Sequence, residues 1–100
     1  MTTAAAIPVE TRRDRSAAVA RALSDPKRLC VLEFLADGGE RSVGDLSRNV
    51  GCQVPNMSQH LSVLRSAGIV ASRREGSTVL YRIADASVMD LVGALQRVAR

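Results

Sequence analysis

Residues 54–70 read VPNMSQHLSVLRSAGIV. Met57, Leu61 and Leu64 are four and three residues apart, the interval that places side chains on one stripe of an α-helix. The opposite stripe carries Asn56, Gln59, His60 and Val63. A helix that only has to stay in solution normally shows Lys and Glu there. Amides solubilise weakly, but each offers a donor and an acceptor side by side. That face suits a helix that reads a polar surface. Pro55 sits in the first turn, where its missing N–H is tolerated.

Upstream, SVGDLSRNV (residues 42–50) predicts a second short helix, with Ser42 as its cap and Asp45 three residues on. It buries Val43, Leu46 and Val50, and Gly51 ends it. Gly51-Cys52-Gln53 then leads directly into the amide-bearing helix. Two short helices joined by a glycine-containing turn make a helix-turn-helix. Before them, Asp25-Pro26 reads as an N-cap and first-turn proline opening PKRLCVLEFLA. That segment is apolar nearly all round, as a central buried helix should be, and Gly38 and Gly39 follow it. SAAVARALSD (residues 16–25) predicts an Ala-rich helix with Val19, Ala22 and Leu23 as its stripe. Residues 1–14 read as a flexible arm and 15–100 as one domain.

Downstream of Gly68 the period changes from helical to alternating. IVASRRE and STVLYRI flank Glu75-Gly76-Ser77 and predict a β-hairpin with Arg73 and Arg74 near its tip. Asp85 is placed to cap a last helix, in which Val88, Leu91, Val92, Leu95 and Val98 form a seam. Such a seam either packs on its own domain or pairs with a second copy. The expected fold is mainly α with a small β-hairpin (α+β). Four helices, a hairpin and a final helix make a winged helix-turn-helix whose first and last helices can dimerise.

The distribution of charge agrees with the helix face. The 100-residue chain carries +4, and thirteen of its fourteen basic residues are Arg. Residues 53–82 hold Arg65, Arg73, Arg74 and Arg82 against Glu75 alone, so most of the excess lies with the amide helix and the hairpin. This is the electrostatic footprint of a nucleic-acid surface. Two cysteines make no disulfide framework, and their spacing is not that of a zinc site. With no apolar run near ~20 residues, a membrane span is not expected. With no apolar core behind the N-terminal charges, neither is a secretory signal, and a cytoplasmic protein is the expectation. An enzyme is not expected either, because there is no phosphate loop and only one His for acid–base work.

In a helix-turn-helix the second helix enters the major groove, its N-terminal residues facing base edges. Asn and Gln bond bidentately to adenine, which makes Gln53, Asn56 and Gln59 the candidate readers. Ser58, His60, Arg65, Arg73, Arg74 and Ser77 are the remaining candidates for DNA contact, Ser58 and His60 as phosphate contacts. The two hairpin arginines would lie over the flanking backbone or reach the minor groove.

LSDPKRLCVLEFL, SVGDLSRNVG, MSQHLSVLRSAGIV and REGSTVLYRI also resemble the ArsR/SmtB family of bacterial transcriptional regulators, from about Ala17 to Leu95. The resemblance implies a homodimer built by the first and last helices, with Val19, Leu23, Val88, Leu91, Val92 and Leu95 at the interface. It further implies an inverted-repeat operator in double-stranded DNA and an inducer, usually a metal. Where that family places a thiolate pair, this chain has Gly44 and Ser47. At the family's other site Asp85 matches, but Ser87 and Val98 stand where histidines would. A metal effector would then need an unconventional site, with Glu10, Asp14, Asp85, Asp90 and His60 as candidate ligands. Imidazole and carboxylate donors favour nickel or zinc. The alternatives are a thiol switch using Cys30 and Cys52, or control by a signalling partner protein.

Overall fold

The stripe formed by Met57, Leu61 and Leu64 is the floor of the fold, and all three side chains are wholly buried. The computed structural model describes residues 9–100, with side chains from Thr11 onward. Its elements run α1 (Val9–Ala22), α2 (Pro26–Leu35), β1 (Arg41–Ser42), α3 (Val43–Val50), α4 (Val54–Ser66), β2 (Val70–Glu75), β3 (Thr78–Ile83) and α5 (Ser87–Ala99). Helices α3 and α4 are the helix-turn-helix, and β2–β3 is the wing.

Local chemistry accounts for the boundaries. Asp25 is extended, and its carboxylate accepts the N–H groups of Lys27 (2.8 Å) and Arg28 (3.2 Å), with Pro26 in the first turn of α2. Burial pushes the Asp25 carboxyl up, but the N–H groups of Arg28 and Lys27 outweigh this and hold it below the usual carboxylate range. Ser42 caps α3 by accepting the Asp45 N–H at 3.1 Å. Gly51 stops α3 with φ +83°, a left-handed geometry that a side chain would strain, and its N–H returns to the Ser47 carbonyl at 2.8 Å. That sharp reversal aims α4 across α3.

Around the α4 stripe the core gathers Val31, Leu32 and Leu35 from α2, Leu46 from α3, Val70 from β2 and Val92 from α5. Burying a side chain of this size contributes about 1.5–3 kcal/mol. The three α4 side chains therefore fix which face of the helix can point outward. Phe34 and Tyr81, the two aromatics, pack half-buried at the core's edge.

Two features differ from the sequence reading. Helix α1 begins at Val9, so residues 9–14, expected as part of the arm, are helical; residues 1–8 lie outside the described residues. The segment TRRDR has good helix formers but no apolar stripe, so periodicity carried no sign of it. The hairpin is also not alone. Arg41 and Ser42 pair antiparallel with Tyr81 and Leu80, giving a three-stranded sheet in the order β1-β3-β2. A strand of two residues is too short to show a period.

Candidate nucleic-acid interface

With Met57, Leu61 and Leu64 turned inward, helical geometry sends Gln59 and Ser62 to the crest of α4 and Asn56 to one shoulder, all exposed. Gln53 stands at the N-cap with no side-chain capping bond, so its amide is free at the helix tip. Asn56 and Gln59 line one open groove of about 350 Å³ together with Lys27 of α2. Lys27 is the chain's one lysine, and it was not among the residues expected from the sequence. Its place beside α4 arises only when the start of α2 packs there. Ser58 is exposed, and Arg65, on the wing side, donates from Nη1 to Ser72 Oγ of β2 at 3.1 Å. Recognition helix and wing are thereby joined.

His60 lies on the same shoulder as Asn56, one turn further along, and is half-buried. Its Nδ1 stands 3.3 Å from Nη1 of Arg28 in α2. The ring therefore packs against the body of the domain as well as bordering the groove.

The wing separates its two arginines. Neighbouring residues in a strand point to opposite faces. Arg74 shares a face with Ser72, the side turned toward α4, and has no hydrogen-bond or ion-pair partner among the described residues. Arg73 points the other way. It donates to both carboxylate oxygens of Glu40, each at 2.7 Å, and to Glu75 at 3.3 Å. Glu40 immediately precedes β1, so the pair crosses the sheet from one edge to the other. The hydrogen bond from Arg73 holds the Glu40 carboxyl below its usual range, and the same bond raises the guanidinium above its own. Arg73 is therefore a strap across the wing, and Arg74 is a free cation on the side of the wing that faces α4. Period-two alternation carries this distinction in the sequence, but Glu40 as the acceptor does not follow from it. Ser77 is exposed in the two-residue tip beside Gly76, whose φ of +63° permits the tight turn.

Helix-turn-helix, amide crest and basic wing occur in one surface, and residues 25–72 match the family model described as bacterial regulatory protein, arsR family. The chain belongs to the arsR family. A transcriptional regulator of Mycobacterium tuberculosis, itself uncharacterised, is 42% identical over 79 residues, 78% of this chain and 68% of that protein. The biofilm growth-associated repressor of Xylella fastidiosa is 40% identical over 87 residues, 87% of this chain and 75% of that one. Among solved structures, a homodimeric winged helix-turn-helix DNA-binding domain from Mycobacterium bovis matches with a TM-score of 0.84 at 35% identity. That match covers 98% of this chain and 90% of the other. Relatives and fold are those of transcriptional regulators, not of enzymes.

The ArsR fold leaves an apolar groove of about 530 Å³ between α1 and α5, lined by Val19, Ala20, Leu23, Leu91 and Leu95. Leu91 and Leu95 are 42% and 40% exposed and Val98 is 85% exposed. The expected α5 seam is thus divided. Leu91, Leu95 and Val98 face outward, Val88 packs half-buried against the core, and Val92 is a core residue, 2% exposed. Three- and four-residue steps span both flanks of a helix, and packing against the core claims one of them.

No cluster of three or more His, Cys, Asp or Glu side chains able to hold a metal exists among the described residues. The candidate ligands are dispersed. Asp85, expected as the cap of α5, stands one residue before its N-cap, Ala86; it accepts the Ser87 N–H at 2.8 Å, which holds its carboxyl below the usual range. Asp14 and Asp90 are exposed on α1 and α5, and the side chain of Glu10 lies outside the described residues. Gly44 and Ser47 occur on α3, with Ser47 buried. Cys30 and Cys52 are free and half-buried, and burial pushes the Cys30 thiol up, away from the reactive thiolate. No helix of the described residues is long and apolar enough to cross a membrane.

Proposed function

We propose that this chain is a sequence-specific DNA-binding transcriptional regulator that acts as a homodimer on an inverted-repeat operator. The observation that carries the reading is the exposed row Gln53, Asn56 and Gln59 on a helix whose other face is locked into the core, flanked by Arg65 and the free Arg74. Amides in the major groove bond bidentately to adenine, and the cations neutralise phosphates on either side. The outward stripe of Leu91, Leu95 and Val98 beside α1 supports pairing of two copies. Two recognition helices would then lie about 34 Å apart, one turn of DNA.

For the effector, the residue types favour nickel or zinc, and the candidate carboxylates are dispersed over one copy of the chain. Ligands would have to come from two copies, with Asp14 on α1 and Asp90 on α5, the two helices proposed to pair, among the candidates. The elevated thiol of Cys30 weighs against a Cys30–Cys52 switch. One experiment tests both parts. Duplexes are selected from a randomised library by the wild-type chain, and fluorescence anisotropy is then measured in chelator, nickel and zinc. Gln59→Ala should cost about 1–3 kcal/mol on the selected duplex and relax base preference, as a lost base contact does. Failure to enrich any duplex over random DNA overturns the DNA reading. A tenfold change with metal, about 1.4 kcal/mol of coupling, supports a metal effector, and no change removes it.

A further inference from the structure

Arg28 makes a set of contacts that base reading by α4 does not itself require. Its side chain is 16% exposed, and it distributes its donors over three helical segments. Nε donates to the Ala22 carbonyl at 2.7 Å and Nη2 to the Arg21 carbonyl at 3.2 Å. These belong to the last turn of α1, where carbonyls lack intrahelical partners and a cation is favourable. Nη1 faces Nδ1 of His60 on the recognition helix at 3.3 Å and stands 4.0 Å from the Asp25 carboxylate that caps α2.

Two chemical facts make this more than an ion pair. A guanidinium is planar and moves as one body, so fixing Nε and Nη2 on α1 fixes the direction of Nη1. It also only donates, so Nδ1 of His60 must accept, which places the ring proton on Nε2. Lysine keeps the charge but cannot satisfy the end of α1 and the imidazole from one rigid fork. The end of α1 is thereby connected to the flank of α4 that carries Asn56, in the groove shared by Lys27, Gln59 and His60.

We propose that Arg28 is a positioning residue for DNA recognition. It clamps the end of α1 to the recognition helix through His60 and sets the angle at which Asn56 and Gln59 are presented. This rests on the DNA-binding homodimer proposed above. Val19 and Leu23 place α1 in the groove assigned to pairing, so the offset between α1 and α4 determines the distance between the two reading helices. Arg28 therefore governs how strictly the protein requires one spacing between half-sites.

The test uses the full chain and the duplex that the wild-type protein enriches from a randomised library. Its controls are a scrambled duplex and the enriched duplex with one base pair inserted between half-sites. Arg28→Lys should fold and dimerise, bind scrambled DNA as wild type does, and lose roughly tenfold on the enriched duplex, the scale of a lost charge-assisted hydrogen bond. Its penalty for the inserted base pair should be smaller than that of wild type. His60→Gln should likewise lose discrimination between the enriched and scrambled duplexes and relax the spacing penalty, and the double variant should lose no more discrimination than either single one, because both break one linkage. Near-normal specific binding by Arg28→Lys would overturn the proposal and make Arg28 a simple charge. Equal losses on every duplex would overturn it in favour of a stability defect. Additive losses in the double variant would remove His60 as the route. If the wild-type chain enriches no duplex, it is the DNA reading that fails; if it does and Arg28→Lys behaves as wild type, only the clamp falls.

Discussion

Arg73 and Arg74 are adjacent in sequence, yet the wing geometry gives them different work in DNA binding. Arg74 has no partner among the described residues and shares a face with Ser72, which Arg65 of the recognition helix contacts. Arg73 is bound through two 2.7 Å hydrogen bonds to Glu40. A cation already neutralised by a carboxylate releases little condensed counterion on meeting a phosphate; a free one releases nearly a full equivalent. Each phosphate neutralised contributes about 0.9 to the slope of log affinity against log salt. Arg74→Ala should therefore flatten that slope by about 0.9 per protomer in contact. Over a fourfold rise in salt, the wild-type protein would lose about three- to fourfold more affinity for each such contact than the variant. Removing the strap as a neutral pair, Glu40→Ala with Arg73→Ala, should leave the slope unchanged. The assay is fluorescence anisotropy on a scrambled duplex across a salt series, where base contacts do not contribute. Equal flattening by both variants would refute the division of roles. An unchanged slope in Arg74→Ala would remove the wing from the interface.

Leu91→Glu places a charge in the centre of the exposed α5 stripe, and sedimentation equilibrium should show monomer, with operator binding lost alongside. An intact dimer at the same concentration would mean that α5 is not the pairing surface. Asp25 supplies a pH signature. Its folded carboxyl lies below the ordinary range, so its contribution is complete above about pH 4 and disappears as pH falls through the depressed folded value. Asp25→Asn, which keeps a capping oxygen but not the charge, should reduce that acid-side loss in denaturant titrations. Asp25→Ala should cost about 0.5–2 kcal/mol at neutral pH. An acid-side loss identical to wild type in Asp25→Asn would show that other carboxylates carry it.

Most of the recognition helix was legible because one regularity determines it. Once Met57, Leu61 and Leu64 share a stripe, Gln59 and Asn56 have no direction left but outward, and the structure places them there. Caps and turns were legible for a similarly local reason: Asp25-Pro26, Ser42 and Gly51 act within three or four residues of themselves. The polar first turns of α1 were not, since helix propensity without an apolar stripe leaves no period to detect. Nor was β1, a strand that exists only because β3 lies beside it.

The sequence by itself therefore determined the order of the five helices and the hairpin, the reading face and the position of the basic excess. All of these depend on contacts a few residues long. Tertiary structure alone decided which charges are free. Glu40 and Arg73 are 33 residues apart, and Arg28 and His60 are 32 apart, so only packing converts the first pair into a strap and the second into a clamp. It likewise divided the α5 seam between core and surface, because a helix with two apolar flanks commits one only when its neighbours are in place. Net charge is a property of composition, whereas available charge is a property of the fold, since a counter-ion from a distant segment can neutralise a side chain without changing the count.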